Sequence, residues 1–114
     1  MAWWISPDLN TVFRTTPEDK LDLTKSNHWT PVGSPIIAYQ RAWNSRSRIM
    51  FLLRDKGVVL GFVRTFNADG SIFLENADVS RNERGIFLAA CHYRGVRIDA
   101  EDILTITTKG RGGG

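Results

Sequence analysis

The segment Ile49–Asn76 constrains the fold of this chain more than any other part of the sequence. It reads as three consecutive β-strands joined by two polar turns, and Ile49 and Phe51 fall on one face of the first strand. The second strand carries Gly61 in its middle, where a glycine often marks a sharp bend or a close approach of another backbone. The segment therefore predicts a strongly bent antiparallel meander.

A helix is predicted before this meander. Ser34 and Pro35 form a helix start, and apolar residues follow at helical spacing in a stripe that ends near Asn44-Ser45. That stripe contains Ile36, Tyr39 and Trp43. The five strands predicted after the helix are Ser47–Arg54, Val58–Phe66, Ile72–Val79, Gly85–Tyr93 and Val96–Thr108. The predicted fold class is therefore mainly β: an N-terminal helix, then a strongly bent five-stranded antiparallel sheet that forms a small open barrel.

Length and composition place limits on the class of protein. The chain has 114 residues, which suits one domain, and its net charge of +3 is compatible with a nucleic-acid partner without requiring one. The single cysteine, Cys91, excludes an intramolecular disulfide. The first ten residues lack a secretory signal, and the apolar runs are too short to span a bilayer. We expect an intracellular protein of the nucleus or cytoplasm with no membrane partner.

The chain divides into three parts by sequence character. Residues 1–33 are predicted to be an N-terminal arm with a short helix starting at Thr16-Pro17, residues 34–108 the folded domain, and residues 109–114 a flexible glycine- and arginine-containing tail. The tail is either a basic stub that contacts RNA or a cloning remnant. The arm is rich in aromatic side chains, which need a surface to pack on, either the barrel or a neighbouring molecule. These are Trp3, Trp4, Phe13 and Trp29.

The order of elements and several short motifs resemble the Sm and like-Sm family of RNA-binding ring proteins. The resemblance covers roughly residues 34–108. The first motif is matched by Leu53-Arg54-Asp55, Leu60-Gly61, Phe66–Ser71 and Leu74, and the second by Tyr93-Arg94-Gly95-Val96. Among subunit types, the sequence resembles both the like-Sm subunit of the cytoplasmic mRNA-decay ring and an Sm D-type splicing subunit.

The resemblance implies a fold, partners and a function. It implies the Sm fold, an SH3-like open barrel, in a subunit of a heteromeric ring, usually of seven members, that acts in mRNA decay or pre-mRNA splicing. It implies that the fourth strand of one subunit pairs with the fifth strand of the next. The strand Ile86–Cys91 suits that role, and it also reads as an ordinary core strand. The implied ligand is single-stranded, U-rich RNA.

The resemblance also implies which residues contact RNA. They lie in two turns, one after the second strand and one before the last strand, and they are Phe66, Asn67, Asp69, Ser71, Arg94 and Gly95. The first turn departs from the family pattern, since Asn67 replaces an aspartate, Asp69 the stacking residue and Ser71 an asparagine. A hairpin turn with Asp69-Gly70 at its tip explains this stretch equally well. Only Arg94 and Gly95 match the pattern cleanly.

Two other interpretations follow from the residues. The basic stretch Arg41–Lys56 suits either a phosphate-facing surface or ordinary solvated charges. A lone Tudor- or SH3-like module that binds protein is the alternative function, although the sequence shows no aromatic cage. No catalytic motif is present, and Cys91 and His92 would point to opposite faces of a strand. We therefore expect no enzyme activity, no cofactor and no metal, with Cys91 as a small buried residue.

Overall fold

The computed structural model describes residues 2–15, 29–84, 86–87 and 89–108, and in this part of the chain one helix packs on a mainly β structure. The predicted helix start at Thr16-Pro17 and the tail 109–114 lie outside the described residues. The elements, in chain order, are β1 (Ala2–Ile5), β2 (Thr11–Thr15), β3 (Thr30–Val32), α1 (Ile36–Ser45), β4 (Ile49–Leu53), β5 (Gly57–Phe66), β6 (Ile72–Glu83), β7 (Ile86–Phe87), β8 (Cys91–Ile98), a 3₁₀ turn (Ala100–Asp102) and β9 (Ile103–Thr108).

These strands pair in the order β3-β1-β2-β9-β4-β5-β6-β7, and β8 also pairs with β6. Every pairing is antiparallel. The strands β9, β4, β5, β6 and β8 form the predicted bent five-stranded unit. The prediction was incomplete at the start of the chain, because three strands precede the helix and extend the sheet beyond β9. The helix is therefore not the N-terminal element of the fold.

Helix α1 begins and ends where the sequence predicted. Pro35 precedes its first residue, and Arg46 ends it in the left-handed conformation with φ 53°. Its buried face is made by Ala38, Tyr39 and Ala42. Trp43 was assigned to the apolar stripe, but its side chain is 56% exposed because the helix rests on its two small alanines instead.

The meander forms as predicted. Ile49 and Phe51 are fully buried while Met50 and Leu52 face outward, so the alternation of β4 is that of a half-buried strand. Gly61 lies against β6, and a Cβ added to it would meet the Cβ of Ala77 at 3.0 Å. The expected close approach is confirmed. The β5–β6 register shifts at two places, which lets these long strands bend around the core.

The predicted core strand Gly85–Tyr93 is wrong. The chain here makes the short strand β7 and then β8, and Ile86 is 66% exposed. Cys91, predicted to be buried, is also exposed. An apolar run of this length suits either a buried strand or a hairpin that projects beyond the core, and periodicity alone does not separate the two.

Candidate nucleic-acid interface

The β5–β6 turn, residues 67–71, is a tightly bonded hairpin tip. The Asn67 and Gly70 amides donate to the carbonyls of Ser71 and Asn67, each at 3.0 Å. Gly70 has φ +90°, a conformation that favours glycine. The side chains bond to one another as well: the Asn67 amide donates to the Ser71 hydroxyl at 3.0 Å, and that hydroxyl donates to Asp69 Oδ1 at 2.7 Å. The polar groups that the resemblance assigned to RNA thus hold the turn together.

Asp69 is the acceptor that organises this turn. The hydroxyl of Ser71 and then its backbone amide, at 2.9 Å, donate to the same carboxylate oxygen and lower the pKa of Asp69. The nearby positive charge of Arg97 lowers that pKa further. Asp69 is therefore ionised at neutral pH, and its exposed charge disfavours a phosphate directly at the tip of the turn.

Helix α1 and the 3₁₀ turn fix the position of this hairpin tip. The Tyr39 hydroxyl donates to the Gly70 carbonyl at 2.7 Å, and burial raises the pKa of Tyr39, so the phenol stays protonated. A Cβ on Gly70 would meet the Cβ of Ala100 at 3.0 Å and Pro35 at 3.4 Å. The β5–β6 turn, the β8–β9 connection and the helix start therefore meet at one place on the surface.

Phe66 serves the core beside this turn. Its half-buried ring lies 5.7 Å from the ring of Tyr39, which in turn lies 6.0 Å from Phe51. These contacts explain an aromatic residue at the end of β5 without reference to a ligand.

Arg94 and Gly95 do not form the turn that the sequence predicted. Both lie inside β8, where Gly95 pairs with Glu75. A Cβ on Gly95 would come within 2.7 Å of the Phe73 ring, so the glycine leaves room for that ring. The true connection begins after Ile98, which pairs with Ile72 beside the hairpin tip.

Arg97 is the basic residue that the structure places next to the tip, and it was not predicted from the sequence. It pairs across the sheet with Phe73, and the guanidinium of Arg64 lies 5.7 Å from the Phe73 ring centroid. Arg97 also contacts Asp99 Oδ1 at 3.3 Å and remains largely exposed. A sequence signal was available, because Asp99 opens the run Asp99–Asp102, which ends the strand later than Arg94-Gly95 suggests.

We call the surface made by Arg64, Phe73, Arg97 and the turn 67–71 the turn patch. The Arg64 guanidinium lies over the Phe73 ring there, and Arg97 is the cross-strand neighbour of Phe73. Arginine side chains stack on bases and bind phosphates, and exposed aromatic edges add stacking area. The patch therefore has the chemistry of a single-strand nucleic-acid contact.

The basic stretch Arg41–Lys56 is divided among local interactions. Arg48 lies 5.6 Å from the Phe62 ring and 3.9 Å from Asp78, and Arg54 donates to the Glu101 carbonyl at 3.4 Å. Such contacts support structural roles for these two charges. Within the described ranges, no three His, Cys, Asp or Glu side chains come together in a way that could hold a metal ion. The described helix is also too short and too polar to cross a membrane.

Comparison with a solved structure shows that this chain has the Sm fold. An Sm protein of Pyrococcus abyssii, determined in complex with a uridine heptamer, matches with a TM-score of 0.52 and 15% identity over 66% of this chain and 97% of its own. A heptameric archaeal Sm protein matches with a TM-score of 0.48 and 20% identity over 62% of this chain and 94% of its own. No protein-family model matches the sequence, and no curated protein matches it either.

Proposed function

We propose that this protein binds single-stranded, U-rich RNA through the turn patch and acts with other Sm-like subunits in RNA metabolism, in mRNA decay or pre-mRNA splicing. It is a binding protein and not an enzyme. The observation that carries the proposal is the meeting of the β5–β6 turn with Arg97 at the start of the β8–β9 connection. The fold is that of the Pyrococcus protein, which was determined with bound uridines.

The RNA contact is assigned to side chains that the turn leaves available. Arg97 and Arg64 contact phosphates or stack on bases, and the Phe73 ring lies against the Arg64 guanidinium. The side chain of Asn67 donates to Ser71 and that of Ser71 to Asp69, which fixes the shape of the turn, while the charge of Asp69 keeps phosphates away from the tip. Arg94 and Gly95 lie further along β8 and take no part in this contact.

Binding of a U-rich RNA oligonucleotide, followed by fluorescence anisotropy, tests the proposal. Substituting Arg97→Ala is expected to weaken binding by about 1–3 kcal/mol, the usual effect of losing one stacking or charged contact. Arg94→Ala is the matched control on the same strand. Equal affinities for the parent protein and the Arg97→Ala variant would contradict the assignment, and equal losses from both variants would indicate nonspecific attraction.

A lone protein-interaction module is the second candidate function. Trp43 is 56% exposed beside a groove of about 240 Å³ between α1 and strands β5 and β6, with Phe62 and Val63 in its lining. Such a groove suits an apolar side chain of a peptide. A Trp43→Ala variant that keeps RNA affinity but loses its protein partners would favour this function.

A further inference from the structure

Strand β9 is paired on both sides along Thr105–Thr107. It pairs with β4 on one side and with β2 on the other, where Thr11, Val12 and Phe13 lie opposite Thr107, Ile106 and Thr105. The Thr108 amide also donates to the Asn10 carbonyl at 2.7 Å. The chain therefore fills most of this edge with its own N-terminal hairpin, β1–β2, and leaves another molecule at most the backbone of Ile103 and Leu104 on that side.

The apolar side chains of the hairpin are part of the hydrophobic core. Trp3, Ile5 and Val12 are buried to 7%, 2% and 1% exposure, and Val12 faces the fully buried Ile106. Burial of apolar side chains of this size stabilises the fold. Detaching the hairpin would therefore cost a large part of the marginal stability of a domain.

The edge strands β3 and β8 of the sheet differ in how well they can pair with a further strand. Strand β3 has three residues, and Pro31 at its centre has no amide hydrogen to donate, so this end accepts a further strand poorly. Strand β8 has eight residues and, among the described strands, pairs with β6 alone. Its residues from Cys91 to Gly95 are all exposed, so β8 is the long open edge of the sheet that the described residues form.

The side chains of β8 indicate the kind of strand that fits. The strand carries His92, Arg94 and Arg97 and no acidic residue. Asp78 and Asp99 lie beside the first and last of these, whereas Arg94 has no ion pair with any residue in the described ranges. Tyr93 is 48% exposed and adds apolar contact area. Like charges opposite one another destabilise strand pairs, so the edge favours an acidic partner strand over a second copy of itself.

We propose that β1–β2 permanently closes the β9 edge and that the protein associates through β8 alone, by adding an extended acidic segment of a partner protein. This deepens the proposed function, on which the identity of the partner as an Sm-like subunit rests. Each chain then makes one strand-addition contact. A ring in which every subunit gives and accepts a strand is not formed through β9.

A disulfide staple tests the closed edge in the full chain. Because Asn10 and Thr108 are hydrogen-bonded, the next pair, Thr11 and Thr107, is a non-hydrogen-bonded pair, whose Cα atoms lie about 4.5 Å apart and suit a disulfide. Thr11→Cys and Thr107→Cys are introduced together with Cys91→Ser, which removes the free thiol. The purified protein is oxidised with diamide or kept reduced, and native mass spectrometry compares the partners that each form takes from a desalted extract of its own cells.

We expect the same partners and the same stoichiometry in both forms. Loss of partners only in the oxidised form would show that the hairpin must leave β9, and would overturn the proposal. A ring containing the oxidised protein with a sister strand paired to β9 would overturn it too. RNA affinity is measured on the same samples, so a failure of the turn patch to bind RNA is seen separately from the behaviour of the staple.

A peptide probe tests the β8 edge. A short peptide of alternating threonine and glutamate is expected to bind and to protect β8 amides from hydrogen exchange, whereas the same peptide with lysine for glutamate is not. Arg94→Glu should weaken the acidic peptide about tenfold, and Arg54→Glu, away from this edge, is the matched control. Equal binding of the two peptides, or protection elsewhere in the sheet, would refute the assignment.

Discussion

The Tyr39 hydroxyl donates a 2.7 Å hydrogen bond to the Gly70 carbonyl and so joins helix α1 to the tip of the β5–β6 hairpin. Tyr39 is fully buried, and its ring also contacts those of Phe51 and Phe66. One side chain therefore sets both the packing of the helix and the position of the turn patch.

Tyr39→Phe keeps the ring and removes this hydrogen bond. We expect a loss of about 1–3 kcal/mol in the free energy of unfolding, because the Gly70 carbonyl would be left without its donor. Urea unfolding measures the effect. Tyr93→Phe, at a 48% exposed position, is the control and should change stability by no more than about 0.5 kcal/mol.

Ionisation of Asp69 makes the stability of the fold depend on pH. Because its pKa is lower in the folded protein than in the unfolded chain, it stabilises the fold above the unfolded pKa, about 3.9. That stabilisation is lost as the pH falls through the folded pKa. Asp69→Asn should therefore flatten the decline of the urea midpoint below about pH 4. Asp102→Asn is the control, and identical pH profiles for the parent and Asp69→Asn would argue against this role.

Gly61→Ala tests the close contact between β5 and β6. The new Cβ would lie 3.0 Å from the Ala77 Cβ and 3.1 Å from its Cα, so a strand must shift to admit it. We expect a destabilisation of about 1–3 kcal/mol in urea unfolding. Gly33→Ala is a matched control, because nothing lies within 4 Å of its added Cβ. A stable Gly61→Ala variant would show that the strands separate easily here.

Substitution of two tryptophans compares a core position with a surface position. Trp3→Ala should cost about 3–5 kcal/mol in unfolding free energy, since its 7% exposed ring anchors the hairpin in the core. Trp43→Ala removes a 56% exposed ring and should cost no more than about 0.5 kcal/mol. Thermal or urea unfolding decides, and a small loss from Trp3→Ala would mean that the hairpin contributes little to the fold.

The meander and the helix were predictable because their signals are local. The alternation of Ile49 and Phe51, the turn at Asp69-Gly70 and the start at Ser34-Pro35 each specify short-range structure. The strands before the helix were not recognised, because β2 is defined by its pairing with β9 at the other end of the chain. Their short lengths and the prolines around them carry little periodic signal.

The candidate site was predicted in part for a similar reason. The turn 67–71 was located correctly, since its residues tolerate unusual backbone angles. The second half was assigned to Arg94-Gly95, whereas the glycine at that position serves the Phe73 ring within β8. Arg97 emerged only from the register of β8 against β6, which a single sequence does not reveal.

The pairing of β2 with β9 also has a consequence for how the protein folds. Asn10 and Thr108 are 98 residues apart in the chain, yet they are neighbours in the sheet. During synthesis, β9 follows every other described strand. The position between β2 and β4 in the sheet is therefore filled last. Folding rates fall as contacts become more distant in sequence. We therefore expect slow, late formation of the central part of this sheet, with the β2 and β4 edges unpaired until β9 arrives between them.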